Sequence, residues 1–180
     1  TSASCPSDSG WSAPVVTLAG AVDLTGDSMA RDLLGRIERR AAKIAVIGPG
    51  YVGLPLAMRA AGAGYHVVGF EVAAERVASL RMGQSHVGDV SDSELTEALT
   101  RGYLPTANEH DLEAFDVAVI SVPTPLSDGL PDMSFIESAA TTVGRRLGEG
   151  ACVVLESTTY PGTTEELVAP ILERESGLTR

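Results

Sequence analysis

Gly48, Gly50 and Gly53 stand at G-x-G-x-x-G spacing directly after the apolar run Ile44, Ala45, Val46, Ile47. That set of residue types can bind a diphosphate. The first glycine permits a tight turn off a strand, the second lets the backbone approach the phosphates, and the third lets the next helix pack close to the strand. Such a helix starts with free N–H groups aimed at the anion, where its dipole also favours negative charge. Pro49 has no N–H, so the donors are expected from Gly50, Tyr51 and Val52. Glu71 supplies the second half of the chemistry. It follows Gly53 by 18 residues, at the expected end of the next strand, where a carboxylate can accept both hydroxyls of an adenosine ribose. The same charge would repel a 2′-phosphate at a cost on the order of several kcal/mol in a partly shielded cleft, which points to NAD rather than NADP. Arg76, five residues later, is placed to contact the ribose or to stack near the adenine.

These residues need strands and helices to hold them. The run entering the glycines reads as a buried parallel strand, and residues 54–63, rich in Ala, Leu and Met, as a helix. Pro55 falls near its first turns, where few donors are lost, and Gly62 and Gly64 end it. Residues 65–72 form the second strand, 73–82 a helix, 83–90 a loop, 92–101 a helix and 104–106 a short strand, with a capped turn at 108–114. Residues 116–122 are a buried strand that runs into Pro123, Thr124 and Pro125, a rigid loop expected to expose its carbonyls. An amphipathic helix over 134–147 puts Met133, Ile136, Ala140, Val143 and Leu147 on one face. A last strand at 151–155 leads through the loop 156–162 to a final helix over 163–175, with Glu165 and Glu166 suited to its first turn.

Strands alternating with helices predict an α/β fold, a doubly wound parallel sheet of Rossmann type, with an N-terminal helical extension. Ligands of such sheets lie beyond the strand C-termini. Three loops should converge there: the glycine turn, 122–126 and 156–162, bringing the hydroxyls of Ser121, Thr124, Ser157 and Thr158. The domain reading is 1–26 as a flexible segment rich in Ser, Ala, Pro and Gly, 27–42 as the helical extension, and 43–180 as the cofactor-binding domain. Asp27 or Ser28 can cap the extension's helix, which should run to about Arg40 with Met29, Leu33, Leu34 and Ile37 along one face. It is expected to dock on the sheet edge or on a second subunit.

Thirteen basic against 24 acidic residues give a net charge of −11, which argues against nucleic acid or an anionic membrane as partner. No run reaches the ~18–20 apolar residues of a membrane span. The apolar stretch 15–22 lacks the basic lead-in of a secretory signal, so a cytoplasmic location is expected. Cys5 and Cys152 are too few for a disulfide framework, and Cys152, inside the apolar run 151–155, reads as a core residue rather than a nucleophile.

Three motifs together carry a resemblance. Gly48-Pro49-Gly50-Tyr51-Val52-Gly53-Leu54-Pro55, then Val122-Pro123-Thr124-Pro125, then the run from Glu156 through Tyr160-Pro161-Gly162 to Glu165 resemble the N-terminal NAD-binding domain of nucleotide-sugar 6-dehydrogenases. The likeness runs from about Asp27 to the end of the chain, and the helix before the first strand together with residues 83–89 leans toward the UDP-N-acetylglucosamine branch, with UDP-glucose or TDP-glucose as the alternative substrate. The resemblance implies oxidation of a sugar C6 alcohol to the carboxylate with two NAD⁺, through an aldehyde and an enzyme thioester. It implies that Gly48, Gly50, Tyr51, Val52 and Gly53 hold the pyrophosphate, and that Glu71 and Arg76 hold the adenosine. By the same likeness Val122, Pro123, Thr124 and Pro125 line the cofactor, and Ser157 and Thr158 lie near the nicotinamide. Thr158 matches the threonine that positions water for proton transfer. The nucleophilic cysteine, its lysine and asparagine, and the central and sugar-binding domains are expected beyond residue 180, in an enzyme forming a homodimer or higher homo-oligomer. The chain alone is thus expected to bind NAD without turnover. The glycine motif is shared with two other readings: a short-chain hydroxyacid or 3-hydroxyacyl dehydrogenase, and a free-standing NAD-binding regulatory module.

Overall fold

The computed structural model describes residues 15–17, 28–127 and 130–179. Within them the chain forms β1 (Val15–Thr17), α1 (Ser28–Glu38), β2 (Lys43–Ile47), α2 (Gly53–Gly62), β3 (His66–Phe70), α3 (Ala74–Arg81), α4 (Asp92–Thr100) and β4 (Leu104–Thr106). A 3-10 turn (Glu109–Leu112) leads to β5 (Val117–Ile120), followed by the strand pair β6 (Leu126–Ser127) and β7 (Leu130–Pro131) and by α5 (Ser134–Gly144). The last elements are β8 (Cys152–Leu155), a π-helical turn (Thr163–Val168) and α6 (Ala169–Ser176).

The main sheet has the order β1-β8-β5-β2-β3-β4. Five of its strands are parallel, and β1 runs antiparallel along β8, Val15 opposite Val154 and Thr17 opposite Cys152. The chain winds outward from β2 to β3 and β4, then returns to the other side of β2 for β5 and β8. The strand order therefore reverses between β2 and β5, and a crevice opens beyond their C-terminal ends. This is the doubly wound sheet that the alternation of strands and helices predicts.

Alternation along each strand divides the core into two layers. Ala45, Ile47, Val68 and Ile120 pack with Ile136, Ala140 and Val143 of α5 and Leu172 of α6 on one side. Val46 and Val67 pack with Leu54 and Met58 of α2, Leu80 of α3 and Leu95 of α4 on the other. Burying one such Leu or Ile contributes on the order of 1.5–3 kcal/mol relative to exposure, so the inner strands need no polar face.

Two expectations change at the N-terminal side. Val15–Thr17 pairs into the sheet although it falls within the stretch read as flexible; the rest of residues 1–26, with Cys5, and the candidate cap Asp27 lie outside the described residues. Helix α1 stops at Glu38, short of Arg40, where the backbone turns left-handed at φ 59°. Its inward face is Ala30, Leu33 and Ile37, whereas Leu34, expected on that face, is 46% exposed. The helix docks on this chain's own sheet, at the N-terminal ends of the strands. Arg36 pairs there with Asp116, whose second oxygen accepts from the Lys43 N–H at 2.7 Å. The Arg40 guanidinium lies 5.0 Å from the Tyr65 ring centroid, and the Tyr65 hydroxyl donates to the Ile37 carbonyl at 3.0 Å.

The proline loop also differs. The Pro125 carbonyl accepts from the Asp132 N–H at 2.7 Å as the chain folds back through β6 and β7, and the Val122 carbonyl accepts from Ser157. These two carbonyls are engaged, not exposed.

Candidate functional site

Gly48 leaves β2 with φ +85°, a conformation that a side chain strains, and its N–H donates to the Phe70 carbonyl at 3.0 Å. The glycine turn is thus tied to the end of β3. At Gly53 a Cβ would fall 2.3 Å from the Gly48 carbonyl oxygen and 2.4 Å from Ser121 Oγ, so only glycine lets α2 begin there. Ser121 donates to the carbonyls of Ile47 and Gly48 at 3.2 and 3.0 Å, pinning the end of β5 to the same turn. Gly50 is the opposite case: a Cβ on it would meet nothing within 4 Å among the described residues. Two glycines are closed by protein and the one between them faces open space, which is the shape a diphosphate needs.

The donors differ from the expectation at one place. The Gly50 N–H already donates to the Gly48 carbonyl at 2.8 Å, so the cradle rests on its neighbours. Tyr51 and Val52 are exposed, and their N–H groups have no protein acceptor among the described residues. They sit at the start of α2, where the helix dipole favours an anion.

Glu71 lies just past β3 and is only 6% exposed. Its Oε1 accepts from the Ala73 N–H at 2.9 Å, and its Oε2 lies 3.3 Å from the guanidinium of Arg76, whose side chain is 60% exposed. The carboxylate and the glycine turn share one cleft of about 430 Å³, which Gly48, Gly50, Glu71, Arg76, Val122 and Pro123 help to line. The far wall belongs to α5, through Phe135, Ser138, Ala139 and Thr142. Sequence reading missed this wall. The signal available was Phe135, a large aromatic side chain lying off the buried stripe of Ile136, Ala140 and Val143, and 44% exposed. Together with the exposed Val72 it offers apolar surface to a flat base. Behind Glu71, burial and then the charge of Glu71 push the Tyr103 phenol well above its ordinary range, so Tyr103 is a neutral hydroxyl.

Thr124, Pro125, Ser157 and Thr158 are not in this cleft's lining; they lie on the loops that leave β5 and β8. Those loops are laced together. Ser157 Oγ donates to the Val122 carbonyl at 2.7 Å, and Thr124 Oγ1 donates to the Thr158 carbonyl at 2.9 Å. The hydroxyl of Thr158 itself is exposed and has no hydrogen-bond partner among the described residues, which leaves it able to hold a water. Cys152 is buried within β8, as a core residue would be. Among the described residues no helix is long and apolar enough to cross a membrane.

Comparison with known proteins bears on the family and the fold. The chain is 41% identical over 138 residues to the UDP-N-acetyl-D-mannosamine dehydrogenase of Pyrococcus horikoshii, covering 76% of this chain and 33% of that one. It is 42% identical over 137 residues to the UDP-N-acetyl-D-glucosamine 6-dehydrogenase of Pseudomonas aeruginosa, covering 76% and 32%. The crystal structure of the NDP-N-acetyl-D-galactosaminuronic acid dehydrogenase of Methanosarcina mazei superposes with a TM-score of 0.72 at 31% identity, over 82% of this chain and 34% of that one. The chain spans about a third of the length of the curated relatives it matches. Residues 42–180 match the NAD binding domain of the UDP-glucose/GDP-mannose dehydrogenase family. A glycine turn, an acid-tipped strand and a domain-length match thus converge, and the chain belongs to that family through its NAD-binding domain.

Proposed function

We propose that this chain holds NAD for the oxidation of the C6 alcohol of a nucleoside-diphosphate sugar to the uronic acid. The observation that carries this reading is the shared cleft: Gly50 open to it, Gly53 closed behind it, and the buried Glu71 carboxylate at its edge. In this proposal the N–H groups of Tyr51 and Val52 bind the pyrophosphate, and Gly48 and Gly53 shape the turn. Glu71 accepts the ribose diol, with Arg76 beside it. Val122, Pro123, Thr124 and Pro125 border the cofactor's other half, and Ser157 and Thr158 lie near the nicotinamide. Bound there, NAD would accept hydride from the sugar carbon. Thr158 holds a water for proton transfer, since a hydroxyl alone is no base at neutral pH. Cys152 is buried in β8 and unsuited to a covalent step, so the role assigned to this chain is cofactor binding and water positioning.

Relatives named for UDP-N-acetylated hexosamines favour a sugar of that class over UDP-glucose or TDP-glucose. A cytoplasmic enzyme of two or more identical subunits completes the reading. Calorimetric titration with NAD and NADP tests it. NAD should bind at least roughly tenfold tighter, equivalent to about 1.4 kcal/mol, and Glu71→Gln should narrow the gap. Equal affinities would remove the role of Glu71, and no binding of NAD would overturn the proposal. Assays of the enzyme carrying this domain against UDP-N-acetylglucosamine, UDP-N-acetylmannosamine and UDP-glucose decide the sugar.

A further inference from the structure

Tyr103 enters the core just before β4, and its ring crosses Gly69 of β3. A Cβ on Gly69 would fall 2.3 Å from the phenol oxygen and 2.9 Å from two ring carbons, so the strand has given up a side chain to admit this one. Tyr103 is 3% exposed, and its hydroxyl has no hydrogen-bond partner among the described residues. Phenylalanine would fill the same volume without burying an orphan donor. Gly69 and Glu71 are two residues apart along an extended segment and face the same side of it, which places the hydroxyl behind the Glu71 carboxylate. The influence of that charge on the phenol agrees with this proximity.

Among the described residues, Glu71 is held firmly at one oxygen. Oε1 takes the Ala73 N–H, whereas Oε2 has just the long, solvent-exposed contact to Arg76. We propose that Tyr103 is a positioning residue: its O–H is the second internal donor that fixes the Glu71 carboxylate from behind while that carboxylate accepts the ribose diol. This rests on the role given to Glu71 above. With Arg76 holding Oε2 on the solvent side, the phenol is unpaired. A carboxylate that turns to the ribose and releases Arg76 brings its oxygen toward the phenol.

Tyr103→Phe, Glu71→Gln and the double variant, each measured for NAD affinity by calorimetry and for melting temperature, test this. Tyr103→Phe should melt no lower than the parent and bind NAD roughly three- to tenfold more weakly, the loss of one hydrogen bond. In the Glu71→Gln background the same change should alter affinity by less than about twofold, because coupled residues are not additive. Unchanged affinity in Tyr103→Phe, with Glu71→Gln weakened, would overturn the inference and leave the ribose reading standing. Equal weakening in both backgrounds would show packing alone and overturn it too. If Glu71→Gln binds NAD as the parent does, the role of Glu71 fails and this inference with it.

Discussion

Gly50 and Gly53 are three residues apart and have opposite surroundings. A Cβ on Gly50 would enter open space, whereas one on Gly53 would strike the Gly48 carbonyl. Gly50→Leu should therefore keep the parent's melting temperature and lose NAD binding by at least roughly a hundredfold, about 2.7 kcal/mol. Gly53→Ala should lower stability by about 1–3 kcal/mol, as overpacking does, read in thermal or urea unfolding. A Gly50→Leu protein that still binds NAD would remove the cradle from that turn. The glycines and Glu71 were legible because their chemistry depends on spacing along the chain. The Gly50 N–H was misread because its bond to the Gly48 carbonyl depends on how the turn closes. Tyr103 and Phe135 escaped notice because they reach the site only through β4 and α5, which come from elsewhere in the sequence.

At the scale of elements, one carboxylate ties helix α1 to the sheet beside the Tyr65–Ile37 hydrogen bond. Asp116 is 6% exposed and takes both the Lys43 N–H and the Arg36 guanidinium. Asp116→Ala leaves a backbone donor unpaired where β2 begins, and should cost about 1–3 kcal/mol of unfolding free energy. Arg36 is 46% exposed, so Arg36→Ala should cost only about 0–1 kcal/mol. Neither should change NAD affinity, because both sites lie at the opposite end of the sheet from the cleft. Urea denaturation paired with titration checks this, and an unchanged midpoint for Asp116→Ala would mean that the bonds of Asp116 add nothing to stability. Element existence was legible from apolar periodicity, as in α5, whose expected stripe is largely the buried one. In α1 the stripe was misjudged because Leu34, though apolar, is turned outward among the described residues. The pair β6 and β7 was invisible: two-residue strands are too short to carry a period.

For the molecule as a whole, the parallel sheet followed from strands alternating with helices, but its last strand did not. Three residues, Val15–Thr17, carry too little pattern to announce themselves, and their antiparallel partner β8 lies far along the chain. Without them β8 would offer a row of bare backbone donors and acceptors. Removing residues 1–17 should therefore increase concentration-dependent self-association relative to the parent in sedimentation velocity, with melting temperature falling modestly. Identical sedimentation would show that the β8 edge needs no cover. The flank that β1 occupies has a further geometric meaning. A strand reached from β8 through α6 by a right-handed crossover would arrive at that same flank, running parallel. The seat has room for a single occupant, so any such newcomer would evict Val15–Thr17 from it.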